Sequence, residues 1–149
     1  MGFRTKAAGA FALALVIGAG AAMAQGDVIA QRKAAMKAIG DGNRGPAAML
    51  RGEAPYDQAA VQAQLKVIAA SATSSLKLYP DNSKTGGDTA ALPKIWETKA
   101  DFDAKMKKLA DDATAAQAKI TNEASFKQEF PALLKNCGGC HNDYRARRS

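Results

Sequence analysis

Apolar residues recur every three or four positions in four stretches of the chain, and clusters of Gly, Pro and Asn separate them. The first stretch predicts a helix from about Asp27 to Ile39, with Val28, Ile29, Ala35, Met36 and Ile39 on one face, stopped by Gly40, Gly42 and Gly45. A connection carrying Met49, Leu50 and the turn-like Pro55-Tyr56 leads to Asp57, an N-cap residue whose carboxylate can take the free amides of the next turn. The second helix then runs to about Tyr79 and buries Val61, Leu65, Ile68, Ala72, Leu76 and Tyr79. Pro80-Asp81-Asn82 ends it, and the stretch from there to Leu92, with Gly86-Gly87, reads as the longest and most mobile loop. The third helix begins near Pro93 and continues to about Ile120, with Ile95, Phe102, Met106, Leu109, Ala113 and Ile120 inward. The fourth starts at Glu123 or Ala124 and reaches toward Arg147, presenting Phe126, Phe130, Leu133, Cys137, Cys140 and Tyr144 on related faces. Pro131 lacks an amide hydrogen and is expected to kink this helix or to mark the start of its longer part. No stretch alternates in the manner of a strand, so the pattern predicts an all-α, antiparallel four-helix bundle.

The first residues change the picture of where the domain starts. Arg4 and Lys6 precede an apolar run from Ala7 to Ala22 that ends in Ala22-Met23-Ala24, the layout of a secretory signal peptide. The run is rich in Ala and Gly and shorter than the ~20 strongly apolar residues of a spanning helix, so no membrane insertion is expected after cleavage. Residues 1–24 therefore read as signal peptide and 25–149 as one domain, since the 125 residues left of 149 support a single core. The reading makes the mature protein an exported one.

Charge adds little to this. The chain has 21 Lys and Arg against 14 Asp and Glu, and loss of Arg4 and Lys6 leaves 19 against 14, a net +5. The basic tail at Arg145, Arg147 and Arg148 suggests no nucleic-acid partner, because basic residues elsewhere alternate with acids and aromatic side chains are too sparse for a stacking platform. Attraction of an anionic redox partner is the simpler use of the excess charge.

The chemistry is concentrated in Cys137-Gly138-Gly139-Cys140-His141, which reads as a site of covalent haem attachment. Residues i and i+3 of a helix share a face, so both thiols can reach the vinyl groups along one porphyrin edge, and the adjacent imidazole of His141 then lies beneath the iron. A thioredoxin-type couple would need a βαβ setting, a disulfide here would close too short a loop to stabilise much, and a zinc site lacks its fourth ligand. His141 is the one histidine of the chain, so bis-histidine ligation is excluded. Candidates for the sixth iron position are Met36, Met49 and Met106, with Lys as an outside choice. Met36 is the best placed: it lies on the inward face of the first helix, four residues after Arg32, whose guanidinium would sit one turn away near a haem propionate.

The position of the motif near the end of the chain resembles class II c-type cytochromes, the cytochrome c′ family of bacterial four-helix bundles. The resemblance spans nearly the whole mature chain through Arg32 to Met36, Gly52 to Asp57, Pro93 to Trp96, and Cys137 to His141 followed by Tyr144-Arg145. It implies one haem c held by Cys137 and Cys140, with Trp96 packed near it and Arg145 beside its proximal face. The family divides on the distal side. In one group a bulky residue blocks the sixth site, the iron is five-coordinate and high-spin, and NO and CO bind. In the other a Met at the position of Met36 ligates the iron.

The segments Ala54 to Val61 and Pro93 to Trp96 look closer to the low-spin group. The resemblance thus implies a one-electron carrier with His141/Met36 ligation and no enzymatic step, serving periplasmic redox proteins. A gas-binding protein is the alternative, and the oligomeric state stays open between a monomer and a homodimer.

Overall fold

The computed structural model describes the backbone of residues 16–147 and the side chains of residues 27–147. Residues 1–15 of the proposed signal segment lie outside the described residues. Among the described residues six α-helices follow in order: α1 (Val16–Gly42), α2 (Arg44–Leu50), α3 (Gln58–Ser75), α4 (Lys94–Glu97), α5 (Lys99–Lys119) and α6 (Glu123–Tyr144). The only strand-like feature among the described residues is an isolated antiparallel bridge between Ala91 and Arg145.

The long helices α1, α3, α5 and α6 form an antiparallel bundle, as pairs at their opposite ends show. Between α1 and the segment of α3, the Gln64 amide donates to the Ile39 carbonyl at 3.0 Å, while Arg32 reaches the Leu78 carbonyl at 3.3 Å. Between α3 and α5, Gln62 bonds the Gln117 carbonyl at 3.0 Å, and the Tyr79 and Phe102 rings meet at 4.6 Å. Between α5 and α6, Lys119 pairs with Glu129 at 3.3 Å and the Tyr144 hydroxyl reaches Asp101 at 2.5 Å. Around the bundle α1 packs on α3, α3 on α5 and α5 on α6, whereas among the described residues α1 and α6 meet more sparsely.

Two apolar clusters fill the interior. The upper one joins Ile39, Val61, Leu65, Ile68, Phe126, Phe130 and their neighbours, and the lower one Ala72, Tyr79, Ile95, Phe102, Met106, Ala110 and Tyr144. The predicted buried faces of the second and third helices hold, with Leu76 and Leu109 half-buried.

Several boundaries differ from the sequence reading, for local reasons. The glycines after Ile39 do not stop the first helix there: α1 continues to Gly42 and α2 resumes at Arg44. Gly42 serves close packing instead, because a Cβ at that position would lie 1.8 Å from Gln64 Oε1. The second helix ends at Ser75 rather than Tyr79. Pro80 disfavours helical geometry for Tyr79, and the chain unwinds through three-residue turns at Leu76, Lys77 and Leu78. The expected third helix is broken at Thr98, whose φ of −125° and ψ of 49° separate α4 from α5. The fourth helix ends at Tyr144 and passes through Pro131 uninterrupted, where the proline ring is exposed. The loop of residues 80–92 is tied down rather than free, beginning with a 3-10 turn at Asp81–Ser83 that Arg32 holds.

Candidate functional site

The capping box that starts α6 sets the register of everything after it. The Asn122 side chain accepts from the Ser125 amide at 2.9 Å, and Ser125 Oγ in turn accepts from the Asn122 amide at 3.1 Å. Four turns later Cys137, Cys140 and His141 emerge half-buried, with both cysteines as free thiols. Gly138 and Gly139 between them face open space, since nothing lies within 4 Å of an added Cβ at either. Burial pushes both thiols above the ordinary cysteine range, so they are protonated at neutral pH. Burial, followed by the charge of Arg145, holds His141 below the ordinary histidine value. Its imidazole is therefore neutral, with a nitrogen lone pair available to a metal.

Met36 is half-buried on α1 and packs against both core clusters, while Cys140 from α6 packs against the lower one. Met49 touches only the upper cluster, which places it with the opposite half of the core from Cys140. Met106 is buried within the lower cluster on α5.

Arg32 is only 3 % exposed. Its Nη1 donates to the Leu78 carbonyl at 3.3 Å and Ser83 Oγ at 3.1 Å, and its Nη2 to the Ser83 carbonyl at 2.9 Å and Thr89 Oγ1 at 3.4 Å. The guanidinium lies 5.0 Å from the Tyr79 ring and 5.6 Å from the Trp96 ring. Trp96 is half-buried, and its indole donates to the carbonyls of Tyr79 and Pro80, each at 3.1 Å. Arg145 is exposed, and its amide closes α6 on the His141 carbonyl at 3.2 Å. Just beyond it, the Ala146 amide donates to Ala90 at 2.8 Å, and the Leu92 amide donates to Tyr144 at 3.0 Å.

The fold thus gathers Met36, Trp96 and Cys140 onto one apolar cluster, with Arg32 stacked on two of its aromatic residues. Three features fit a flat, largely apolar group with acidic substituents. Among the described residues α1 and α6 pack on each other more sparsely than the other neighbouring helices, neutral sulphur and nitrogen donors stand on α6, and Arg32 Nε is buried with no hydrogen-bond partner. An arginine nitrogen left over in this way is suited to a carboxylate.

The comparisons agree with this geometry. The family described as Cytochrome C′ matches residues 27–145. The chain belongs to the cytochrome c′ family. It is 55% identical to a cytochrome c′ of Rhodopseudomonas palustris over 135 residues, 91% of this chain and 92% of that protein. It is 40% identical to a cytochrome c-556 of Agrobacterium fabrum over 133 residues, 87% of this chain and 88% of that one. The solved structure of cytochrome c′ from Rhodopseudomonas palustris covers 83% of this chain and 98% of its own with a TM-score of 0.80. The fold is accordingly the cytochrome c′ four-helix bundle, and the cofactor is one covalent haem c.

Sequence reading did not single out Tyr79 as an aromatic partner of Arg32, or Ser83, Thr89 and Tyr144 as polar anchors. Only Tyr144 left a signal, three residues after His141 on a helical face.

Proposed function

We propose that this chain is an exported, periplasmic monohaem cytochrome of c′ type whose iron has one axial protein ligand, His141, and takes small gases such as NO and CO on the other side. Residues 1–24 are its signal peptide, and the family match from residue 27 supports a domain that begins just after the cleavage site. Cys137 and Cys140 hold the haem. Both thiols are free, and as thioethers they would hold the haem without any need of an oxidant. Haem supplies an iron that changes oxidation state and binds diatomic gases. His141 would offer its lone pair to that iron and Arg32 Nε would take an acidic substituent of the haem, with Trp96 backing the guanidinium and Arg145 adding positive charge near His141.

The observation that carries the five-coordinate reading is the placement of Met36. It bridges both core clusters, as a flexible thioether that fills a gap does, and the chain has no second histidine to compete for the iron. The 55% identical relative called cytochrome c′ also favours this reading over the His/Met electron carrier first expected from the sequence.

The second reading is a one-electron carrier with His141/Met36 ligation. It is favoured by the presence of Met36 and Cys140 on the same lower cluster, which brings a thioether to the half of the core where the haem is held. In either reading the protein carries electrons or ligands without transforming a substrate. Its redox partners are periplasmic proteins, to which the mixed-charge rim of a hollow beside Cys140, with Lys135 next to the Lys108–Asp112 and Lys105–Asp143 pairs, offers polar contacts, and a homodimer is compatible with the fold.

The optical spectrum decides between the two. A broad high-spin ferric spectrum, with a ferrous form that changes on adding CO, is expected. A low-spin spectrum with the weak far-red sulphur-to-iron band, abolished by Met36→Ala, would replace the first reading with the second.

A further inference from the structure

Tyr144 is 3 % exposed and stands one turn beyond His141, at the last residue of α6. A helix terminus normally frays, because its final carbonyls have no partner within the helix. This one is fastened on three sides. The Tyr144 hydroxyl donates to Asp101 Oδ2 at 2.5 Å and meets Thr98 Oγ1 at 2.8 Å. The Thr98 hydroxyl also donates to the Lys94 carbonyl at 3.0 Å, so Tyr144, Thr98 and Asp101 form one short polar chain at this point. The Tyr144 carbonyl accepts from the Leu92 amide at 3.0 Å. The ring stands edge-on to Phe102 at 5.3 Å and 84°.

Thr98 and Asp101 are not arbitrary anchors. Thr98 is the residue at which α4 gives way to α5, and Asp101 lies in the first turn of α5. The phenol therefore ties the end of the haem-bearing helix to the break in the neighbouring helix at Thr98 and to Asp101, an exposed carboxylate that also pairs with Lys105 at 3.8 Å. Rotation of the last turn of α6 about its axis would carry the His141 imidazole with it and would stretch both phenol hydrogen bonds.

We propose that Tyr144 is a positioning residue for the axial histidine: through Asp101 and Thr98 its hydroxyl sets the rotation of the last turn of α6 and hence the orientation of the His141 ring at the iron. The inference rests on His141 as axial ligand. It assigns Tyr144 no contact with the haem and no part in its attachment.

The test uses the holoprotein and the variants Tyr144→Phe, Asp101→Ala and Asp101→Asn. Tyr144→Phe keeps the ring against Phe102 and removes only the hydroxyl. It is expected to broaden the ferric EPR lines through a wider spread of histidine orientations and to shift the midpoint potential. A five-coordinate protein should in addition change its CO dissociation constant by about threefold, the scale set by loss of one modest hydrogen bond. Asp101→Ala should reproduce these changes, and Asp101→Asn, which keeps an acceptor, should restore the wild-type line shape.

Tyr56→Phe is the control, since it deletes a phenol bonded to Gln58 beside the upper cluster and should leave line shape and potential alone. Wild-type EPR lines and potential in Tyr144→Phe would overturn the inference. His141→Gly separates the two levels: an unchanged spectrum there would remove the axial assignment itself, whereas a changed spectrum beside a silent Tyr144→Phe would remove only the role of Tyr144.

Discussion

Arg32 holds Ser83 twice, by its hydroxyl at 3.1 Å and by its carbonyl at 2.9 Å, and so joins α1 to the loop that separates α3 from α4. Both groups are buried, and a carbonyl deprived of its donor there has no water to turn to. Arg32→Ala should destabilise the protein by about 2–4 kcal/mol, because charge-assisted bonds are lost and acceptors are left unpaired. Arg32→Lys should recover little of this, since one ammonium cannot reproduce the planar fork that serves Leu78, Ser83 and Thr89. Urea titrations followed by circular dichroism measure both, and a lysine variant as stable as wild type would contradict the account.

The proposed attachment residues predict separable defects. Cys137→Ala or Cys140→Ala should each leave one thioether, seen as a shifted α-band in the pyridine haemochrome of the denatured protein. The double variant should lose the covalent haem mass altogether. His141→Ala should retain the thiols yet fail to mature into a stable haem protein, and a normal spectrum from it would remove the histidine from the iron.

Gly40 and Gly42 lie two residues apart at the end of α1 and should respond in opposite directions to alanine. Nothing lies within 4 Å of a Cβ at Gly40, so Gly40→Ala should stabilise the helix by up to about 1 kcal/mol. At Gly42 the new methyl group meets Gln64, whose buried amide bonds the Ile39 carbonyl and Asn43 Oδ1. Displacing that amide costs about 1–3 kcal/mol. Thermal melts of the two variants should therefore fall on either side of wild type.

Tyr79 predicts how stability falls at high pH. Burial raises its phenol from the ordinary 10.0 to about 12. Below pH 10 both folded and unfolded chains keep this proton, while between 10 and 12 only the folded chain does. Stability therefore declines as pH rises through that window, by up to about 1.4 kcal/mol per unit from this group. Tyr79→Phe should flatten the decline over that interval in denaturant midpoints measured from pH 9 to 12, and an unaltered slope would show that the phenol titrates normally.

What could be read ahead of the structure followed from local rules. Apolar spacing placed the interiors of the helices because a buried face must repeat with the helical period, and the positions from Val61 to Ala72 and from Phe126 to Leu133 are buried as expected. Boundaries were less legible wherever a distant group competed. Nothing near Thr98 in the chain reveals that Tyr144 waits for its hydroxyl, and nothing near Gly42 announces Gln64. The long loop looked free because its Gly and Asp residues are typical of mobile segments, yet its anchor, Arg32, lies about fifty residues upstream.

The sequence alone points to Cys137, Cys140 and His141 as the proposed site of haem attachment, because that chemistry depends on residue type and on helical spacing within five consecutive positions. The amphipathic periods likewise specify an all-α bundle without reference to any neighbour. Tertiary structure alone decided that Arg32 is a buried clasp with one nitrogen to spare, that Met36 spans both halves of the core, and that Tyr144 fastens the histidine's helix to the break at Thr98. Each of these depends on groups far apart in the chain, and only packing, by excluding water from between them, makes such contacts strong enough to shape the site.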